Sequence, residues 1–277
     1  MQATTGVSIS GSLHGLLHGI VPEMHPVEIL PFRFIVAWHG VLTLAFNAWP
    51  QQLAEIKKRI NDMPEFSASP ENFGTRWPKL TLAALNADAP PLTLDQLRKL
   101  TALCQEFEAS LQRLGSVTLS NCSLVMFASR SLEHCLCRVD YPFVNEKLLP
   151  PTHPKNMAQE YDAASYEIVR DVVRETEEQL DEYINKVNAP GHRWGGHYNT
   201  TWTETTLVCF LTNGNGNADN IISPSTSNLL DIVASFRERV DALLPGAYTW
   251  MPQKTLHLSL RALDNRSNVE RNVQGMK

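Results

Sequence analysis

The stretch KLTLAALN, residues 79–86, has a near copy in HLSLRALD, residues 257–264. Aligned without gaps, both have leucine at the second, fourth and seventh positions, a hydroxyl residue at the third and alanine at the sixth. Alternation of leucine with other residues predicts a β-strand, because successive side chains of a strand point to opposite faces. The chain therefore carries the same kind of strand twice.

Similar elements precede each copy. Before the first copy, the apolar pattern predicts a strand at about residues 34–46 and an amphipathic helix at 50–60. Before the second copy, it predicts a strand at 205–211 and a helix at 225–244. The shared order of strand, helix and motif strand indicates an internal repeat.

The composition is that of a globular protein. The 277 residues are 43% hydrophobic and 19% charged, which is enough apolar material for a substantial core. A formal net charge of -5 argues against extended nucleic-acid binding, which needs many basic groups on the phosphates. A small-molecule or nucleotide phosphodiester ligand in a local site remains compatible with this charge.

The five cysteines are odd in number and form no CxxC pair, so neither a disulfide framework nor a metal site is indicated, and no cofactor is expected. The N-terminal residues lack the basic start and solid apolar core of a signal peptide. No apolar run approaches the roughly 20 residues of a membrane-spanning helix. The sequence therefore predicts a cytoplasmic protein without a membrane partner.

The coarse pattern predicts an α+β fold organised as one two-lobed domain. Residues 1–30 are expected to form an N-terminal arm, 31–150 a first lobe with the KLTL motif, and 151–277 a long helix and second lobe with the HLSL motif. A proline-rich segment at 148–154 marks the boundary. Within this plan we expect a helix at 93–114, a charged helix at 156–187, and a hairpin formed by 116–127 and 132–139.

The motif residues suit phosphate chemistry. Residues two apart on a strand share a face, so Lys79 lies beside Thr81, and His257 beside Ser259. A basic group next to a hydroxyl, presented twice, can hold a phosphate: the hydroxyls donate to its oxygens, and the basic groups supply charge or protons.

These motifs resemble those of the two-histidine (2H) phosphoesterases, the RNA ligase and cyclic nucleotide phosphodiesterase-like superfamily. The resemblance covers about residues 32–266 and is strongest at RWPKLTLAALNAD (76–88) with the helix after it, at SVTLSNCSLVMF (116–127), and at TLHLSLRAL (255–263). It implies two pseudo-symmetric lobes, with antiparallel sheets and flanking helices around a central cleft.

The resemblance also implies roles for the motif residues. In that family one histidine is the general base toward water, the other protonates the leaving oxygen, and the hydroxyl residues bind the phosphate of a cyclic or 2'-5' phosphodiester. His257 and Ser259 match the second motif, and Thr81 matches the hydroxyl of the first. Lys79 stands where the first histidine is expected.

This departure leaves several hypotheses open. An ordinary lysine has a pKa of about 10.4 and acts as a base only if desolvation lowers its pKa by roughly three units. The protein is either a phosphodiesterase in which His257 works with Lys79, a diverged scaffold that binds a ligand or assembles, or an enzyme of non-phosphate proton transfer. In the simplest alternative, His257 and Lys79 are merely polar residues on strand faces.

Other residues are auxiliary candidates. Trp250 precedes the second motif and is a candidate to stack on a base, and His39 is a candidate to lie near the cleft in place of the missing histidine. His192 and His197, in a glycine-rich loop, are candidates for further contacts. Arg261 shares the face of His257 if its strand stays regular.

Overall fold

The computed structural model describes residues 11–21, 24–63, 71, 73–143, 159–199, 203–212 and 223–263. The helices in these ranges are α1 (Gly11–Ile20), α2 (Gln51–Asn61), α3 (Leu94–Glu106), α4 (Glu108–Leu114), α5 (Ala163–Glu178), α6 (Leu180–Val187) and α7 (Pro224–Leu243). The strands are β1 (Val27–Ile29), β2 (Pro31–Val36), β3 (Leu42–Phe46), β4 (Lys79–Leu85), β5 (Val117–Leu119), β6 (Asn121–Phe127), β7 (Cys135–Pro142), β8 (Glu204–Phe210), β9 (Tyr248–Trp250) and β10 (His257–Ala262).

Local sequence signals account for several element boundaries. Thr93 caps α3 and forms the reciprocal capping-box hydrogen bonds with Gln96, as predicted. The predicted helix at 93–114 is divided at Phe107 into α3 and α4, and the predicted charged helix is divided at Gln179 into α5 and α6. The predicted hairpin is confirmed, because β6 and β7 pair antiparallel.

One large antiparallel sheet forms the centre of the molecule. Its strands follow the order β2-β3-β4-β10-β8-β6-β7, and β9 pairs with β4 off this path. A separate two-stranded sheet joins β1 to β5. The two motif strands, β4 and β10, are therefore direct neighbours in the middle of the large sheet.

The α+β class with antiparallel sheets and flanking helices is confirmed, but the strands are not divided as the sequence order suggests. The hairpin β6–β7, expected in the first lobe, pairs with β8 on the far side of β10, and β9 returns to pair with β4. Antiparallel pairing depends on which strand edge is free, and sequence proximity does not determine that. The proline-rich boundary at 148–154 lies outside the described residues, and the division at residue 150 stays a prediction.

The N-terminal segment is attached to the body. In the stretch expected as an arm, α1 places Leu17 in the main core, Val21 is also buried there, and β1 pairs with β5. The described part of the predicted arm is thus packed against the rest of the protein.

Helices α3, α4 and α7 cover one face of the large sheet and enclose the main core. At its centre Phe34 of β2 stacks on Phe236 of α7 with ring centroids 4.1 Å apart, and Phe107 meets Phe34 edge-on at 5.7 Å. Burial of this apolar surface is the main stabilising contribution to the fold. The core also holds the motif leucines in position from behind.

On the opposite face, the described residues form two small clusters, one toward each end of the sheet. Helix α5 covers β2 and β3 through a small cluster of Ile35, Ala45, Trp77, Val169 and Val173. A second small cluster, Val125, Phe127, Leu132, Val208 and Phe210, covers the β6–β8 side. Between the two clusters, the middle of the sheet faces a cavity.

Candidate functional site

The two motif strands show the same burial pattern. The motif leucines face the main core and are at most 1% exposed: Leu80, Leu82, Leu258 and Leu260. The intervening polar residues are partly exposed: Lys79, Thr81, His257 and Ser259. All four polar residues line one cavity of about 450 Å³, here called the motif cavity. The structure therefore brings the four main sequence candidates together.

The register of the two strands explains this arrangement. Leu258 pairs with Leu80 in antiparallel orientation. One residue to either side of that pair, antiparallel geometry sets His257 against Thr81 and Ser259 against Lys79. Each basic residue therefore faces the hydroxyl of the other motif, and the two strands are related by an approximate two-fold axis through the Leu258–Leu80 pair.

Both motif strands become irregular just after the motif. In β4 the pairing with β3 shifts between Thr81 and Ala83, and in β10 the pairing with β8 shifts between Ser259 and Arg261. Such an extra residue reverses the faces of the side chains that follow it. Arg261 is consequently 3% exposed and donates to the Asn61 side chain, so the regular strand that would have placed it beside His257 is not present.

Trp250 lies outside the motif cavity as a result of the same irregularity. It pairs with Ala83, beyond the shift in β4, and its ring packs edge-on against Phe236 on the core side. Its indole Nε1 donates to Asp241 at 2.8 Å. Trp250 is therefore absent from the lining of both cavities described here, and its proposed stacking on a substrate base is not supported.

His257 is held in one tautomer. Its Nδ1 lies 2.7 Å from the Thr255 carbonyl oxygen, and only a protonated Nδ1 can donate to that acceptor. Nε2 is therefore the unprotonated nitrogen of the neutral ring. Burial lowers the pKa of His257 below its usual 6.5, although the Thr255 carbonyl opposes the shift. At neutral pH the ring has the protonation state of a general base.

Lys79 lies in an environment that favours its neutral form. Burial, together with the nearby Lys57 charge, lowers the pKa of Lys79 to about 7. Its Nζ donates to the Gly74 carbonyl and lies 4.4 Å from the centre of the Trp77 ring. Lys79 forms no salt bridge with the described residues. The lysine therefore titrates near neutrality, as a histidine would.

Lys57, whose charge influences Lys79, is paired with an acidic residue. Lys57 Nζ lies 2.8 Å from the Glu71 carboxylate and also donates to the Thr75 carbonyl. Lys57 is 6% exposed, so its pairing with Glu71 compensates a buried charge. Glu71 thus neutralises Lys57, and among the residues that the structure describes no carboxylate counteracts the desolvation of Lys79.

Arg130 and Glu204 line the motif cavity as an ion pair. The Arg130 guanidinium makes a two-pronged contact with Glu204, with Nη2 at 2.8 Å and Nε at 3.2 Å from the carboxylate oxygens. The remaining nitrogen, Nη1, lies 3.0 Å from His197 Nε2. These contacts engage all three guanidinium nitrogens and fix the arginine in the cavity wall.

Three histidine rings form a row along the edge of the cavity. His192 lies 4.4 Å from His39 and 3.9 Å from His197, measured between ring centres. Burial lowers the pKa of His192 to about 4 and that of His197 to about 3, with contributions from neighbouring His39, His192 and Arg130 charges. His192 and His197 are therefore neutral at pH 7 and line the motif cavity without adding charge.

His39 does not replace the missing histidine in the motif cavity. It adopts a left-handed backbone conformation, with φ of 61°, and its Nδ1 lies 3.0 Å from the Ala189 carbonyl oxygen. Gly191 makes room for it, since a Cβ there would lie 2.8 Å from the His39 ring. His39 instead lines the neighbouring cavity.

This neighbouring cavity, here called the aromatic cavity, has a volume of about 630 Å³. It shares Gly74, Lys79, Thr81, His192 and Tyr198 with the motif cavity. The Tyr198 hydroxyl makes a hydrogen bond with Thr81, and Tyr198 is 8% exposed. The two cavities are thus adjoining parts of one cleft, with Lys79 at the junction.

The sequence indicated only part of this lining. Arg130 lies in the short turn between β6 and β7, flanked by serines, where an arginine is ordinarily a solvated residue. Glu204 begins β8 and Tyr198 ends the glycine-rich loop. No motif distinguishes these three residues, and they become site residues only through the pairing of β8 with β6.

Comparison of the chain with protein-family models, curated proteins and solved structures finds no match. The 2H resemblance therefore stays a prediction carried by the motif residues. In the described ranges, no group of three or more His, Cys, Asp or Glu residues is arranged to hold a metal ion. None of the helices in those ranges combines the length and apolar character needed to cross a bilayer.

Proposed function

We propose that the protein is a 2H-type phosphodiesterase that hydrolyses a cyclic or 2'-5' phosphodiester of a nucleotide or RNA end. The observation that carries this proposal is the pairing of the two motif strands, which puts His257, Lys79, Thr81 and Ser259 on one cavity wall. The approximate two-fold axis and the matching irregularities of β4 and β10 support a fold of two pseudo-symmetric lobes.

In the proposed reaction His257 is the general base. Its Nε2 takes a proton from a water molecule, whose oxygen attacks the phosphorus and forms a new P–O bond. The Thr255 carbonyl holds the Nδ1 proton and stabilises the imidazolium that results. Proton exchange with solvent then returns the ring to its neutral form.

Lys79 is the proposed general acid. As the P–O bond to the leaving oxygen breaks, the Lys79 ammonium donates a proton to the alkoxide and becomes a neutral amine. A pKa of about 7 makes this donor acidic enough to transfer its proton and leaves it partly protonated at neutral pH. The Thr81 and Ser259 hydroxyls donate to the non-bridging oxygens.

The alternative is a diverged scaffold that binds a ligand or assembles without turnover. It is favoured by the contacts of Lys79, whose amine donates to the Gly74 carbonyl and packs on Trp77 in the manner of a structural residue. Non-phosphate proton transfer is a further alternative, because a lysine with a pKa of about 7 can also serve as a base.

Hydrolysis of 2',3'-cyclic nucleotides and short 2'-5' linked oligonucleotides tests the proposal. We expect turnover by the wild type, and a loss of at least about 100-fold in kcat for His257→Ala and for Lys79→Ala. Lys79→His restores the family pattern and is expected to retain or increase turnover. His134→Ala is the matched control, because His134 is exposed and lies outside both cavities.

The outcomes separate the alternatives. Turnover that survives in His257→Ala contradicts the proposed base. A silent wild type with an active Lys79→His variant indicates a scaffold that has lost this reaction, and silence of every variant contradicts the phosphodiesterase proposal.

A further inference from the structure

The aromatic cavity adjoins the proposed catalytic residues but takes no part in the proton transfers described above. Five aromatic residues contribute to its lining: Trp38, Phe73, Trp77, Tyr183 and Tyr198. It meets the motif cavity at Lys79 and Thr81, so a phosphate held by the motif residues extends its substituents into this space.

Two of these aromatic rings form an exposed stack at the cavity mouth. Trp38, in the turn after β2, and Phe73, in the turn before β4, lie with ring centres 6.3 Å apart and planes inclined by 13°. They are 47% and 48% exposed, although large apolar side chains are normally buried. The two rings are nearly parallel, so a flat ring that enters between them can contact a face of each.

Trp38 is fixed in place for such a role. Its indole Nε1 donates to Glu175 at 3.1 Å, and the Lys186 ammonium lies 5.1 Å from its ring centre. Lys186 also pairs with Glu175. These contacts restrict the ring before a ligand arrives, and a preorganised ring loses less entropy when it binds.

The cations around the cavity argue against a cationic ligand. Lys186 already lies over Trp38, and Lys79 lies over Trp77. The Lys186 ammonium therefore already occupies a face of the exposed Trp38 ring, which disfavours a quaternary ammonium group on that ring. A neutral flat ring meets no such repulsion and can stack on the exposed rings.

The acidic residues at the rim of the aromatic cavity disfavour a ligand that carries a second phosphate. Asp171, Glu175 and Glu178 line the cavity on the α5 side. Asp171 pairs with Arg174 and Glu175 with Lys186, but Glu178 forms no salt bridge with the described residues. A second phosphate leaving the cavity on this side meets an uncompensated carboxylate.

Resting on the proposed function, we propose that the aromatic cavity is the base subsite. It accepts the neutral nucleobase of a single nucleotide between Trp38 and Phe73, while the phosphate lies against Lys79, Thr81, His257 and Ser259. The substrate class is therefore a mononucleotide cyclic phosphate or a terminal nucleotide, and not the interior of a polynucleotide.

Binding of adenosine 2'-monophosphate, measured by calorimetry, tests the subsite without requiring hydrolysis. We expect Trp38→Ala and Phe73→Ala each to weaken its binding by about tenfold, the effect of losing one stacking partner. Binding of inorganic phosphate should change by less than about twofold in both variants. Tyr166→Ala is the matched control, because Tyr166 is an exposed aromatic residue of α5 outside the cavity.

A second comparison tests the rim. Glu178→Gln is expected to strengthen binding of a nucleotide with an additional phosphate, adenosine 2',5'-bisphosphate, by about threefold relative to the monophosphate. Because Glu178 is exposed, this gain should diminish at high salt. If Glu178→Gln changes the affinity for both nucleotides equally, the proposal that Glu178 disfavours the second phosphate is contradicted.

Failure of the subsite and failure of the catalytic proposal give different results. If cyclic nucleotides are hydrolysed but Trp38→Ala leaves KM unchanged, the base subsite is wrong and the reaction stands. If nucleotide binding depends on Trp38 and Phe73 but no turnover occurs, the subsite stands and the reaction is wrong. Tighter binding of phosphocholine than of adenosine 2'-monophosphate overturns the assignment to a nucleobase.

Discussion

Leu258 pairs with Leu80 at the middle of the large sheet, and this contact determines what the cavity contains. Both leucines are fully buried against the helices. The residues on either side of each leucine point to the opposite face of the sheet. Each strand therefore places one basic residue and one hydroxyl residue in the wall of the motif cavity.

The activity should have a narrow pH optimum. His257 must be neutral to act as a base, and burial sets its pKa below 6.5, so the rate rises with pH through that range. Lys79 must be protonated to act as an acid, and its pKa of about 7 makes the rate fall above neutrality. Measurement of kcat/KM for a 2',3'-cyclic nucleotide from about pH 4.5 to 9 gives the profile.

Lys79→Arg is the informative variant for that profile. An arginine stays protonated throughout this range, so the alkaline limb should disappear while kcat falls by about 100-fold. An alkaline limb that persists in Lys79→Arg assigns it to a group other than Lys79.

The Lys79 amine should be unusually reactive at neutral pH. With a pKa of about 7, about half of Lys79 is neutral at pH 7, whereas an ordinary lysine is less than about 0.1% neutral. Competitive acetylation with a small anhydride, followed by peptide mass spectrometry, should therefore label Lys79 ahead of Lys58. Lys58 is the control because it is exposed and its contact with Asp62 raises its pKa. Equal labelling contradicts the lowered pKa.

Lys79 should reduce stability at neutral pH. Its folded-state pKa is below its unfolded value, so the unfolded chain binds more protons between about pH 7 and 10, and stability rises with pH across this window. Replacing Lys79 with Met removes the penalty and should raise the free energy of unfolding at pH 7 by about 1–2 kcal/mol, after allowance for its partial exposure.

Urea unfolding at pH 7 and pH 9.5 measures this effect. The difference between Lys79→Met and the wild type should shrink at the higher pH, where the lysine is neutral in the folded state. Lys58→Met is expected to give no stabilisation at either pH, because Lys58 already has a favourable partner in Asp62. A Lys79→Met variant that is less stable at pH 7 indicates that the Gly74 contact outweighs desolvation.

Gly191 should resist substitution, unlike the nearby Gly196. Its φ of +149° is rarely adopted by other residues, and a Cβ would lie 2.8 Å from the His39 ring. Gly191→Ala should therefore lower the free energy of unfolding by about 1–3 kcal/mol. Gly196→Ala meets nothing within 4 Å and should change it by less than about 0.5 kcal/mol. Thermal unfolding of the two variants makes the comparison, and equal stability contradicts it.

The sequence predicted what depends on local pattern. Alternation identified the strands at 79–86 and 257–264, Thr93 and Gln96 identified the start of α3, and the apolar runs identified the β6–β7 hairpin. Each of these signals lies within one element. It reflects either the hydrogen bonding of that element or the direction in which its side chains point.

The sequence did not predict what depends on pairing between distant strands. The alternation of residues does not mark the irregularities in β4 and β10, and so the sequence did not show that Arg261 leaves the face of His257 or that Trp250 lies outside the cavity. Arg130 joins the site only because its hairpin pairs with β8. The lowered pKa of Lys79 likewise depends on burial by groups remote in sequence.

The central position of the β4–β10 pair also bears on how the protein folds. β10 follows every other described strand in the sequence, so the two halves of the sheet remain separate until the last strand is available. Before then, β4 and β8 each present an open edge, which is prone to pairing with another chain. Contacts between such distant segments form slowly, and we expect the cleft to be assembled late, after an intermediate that is prone to aggregate.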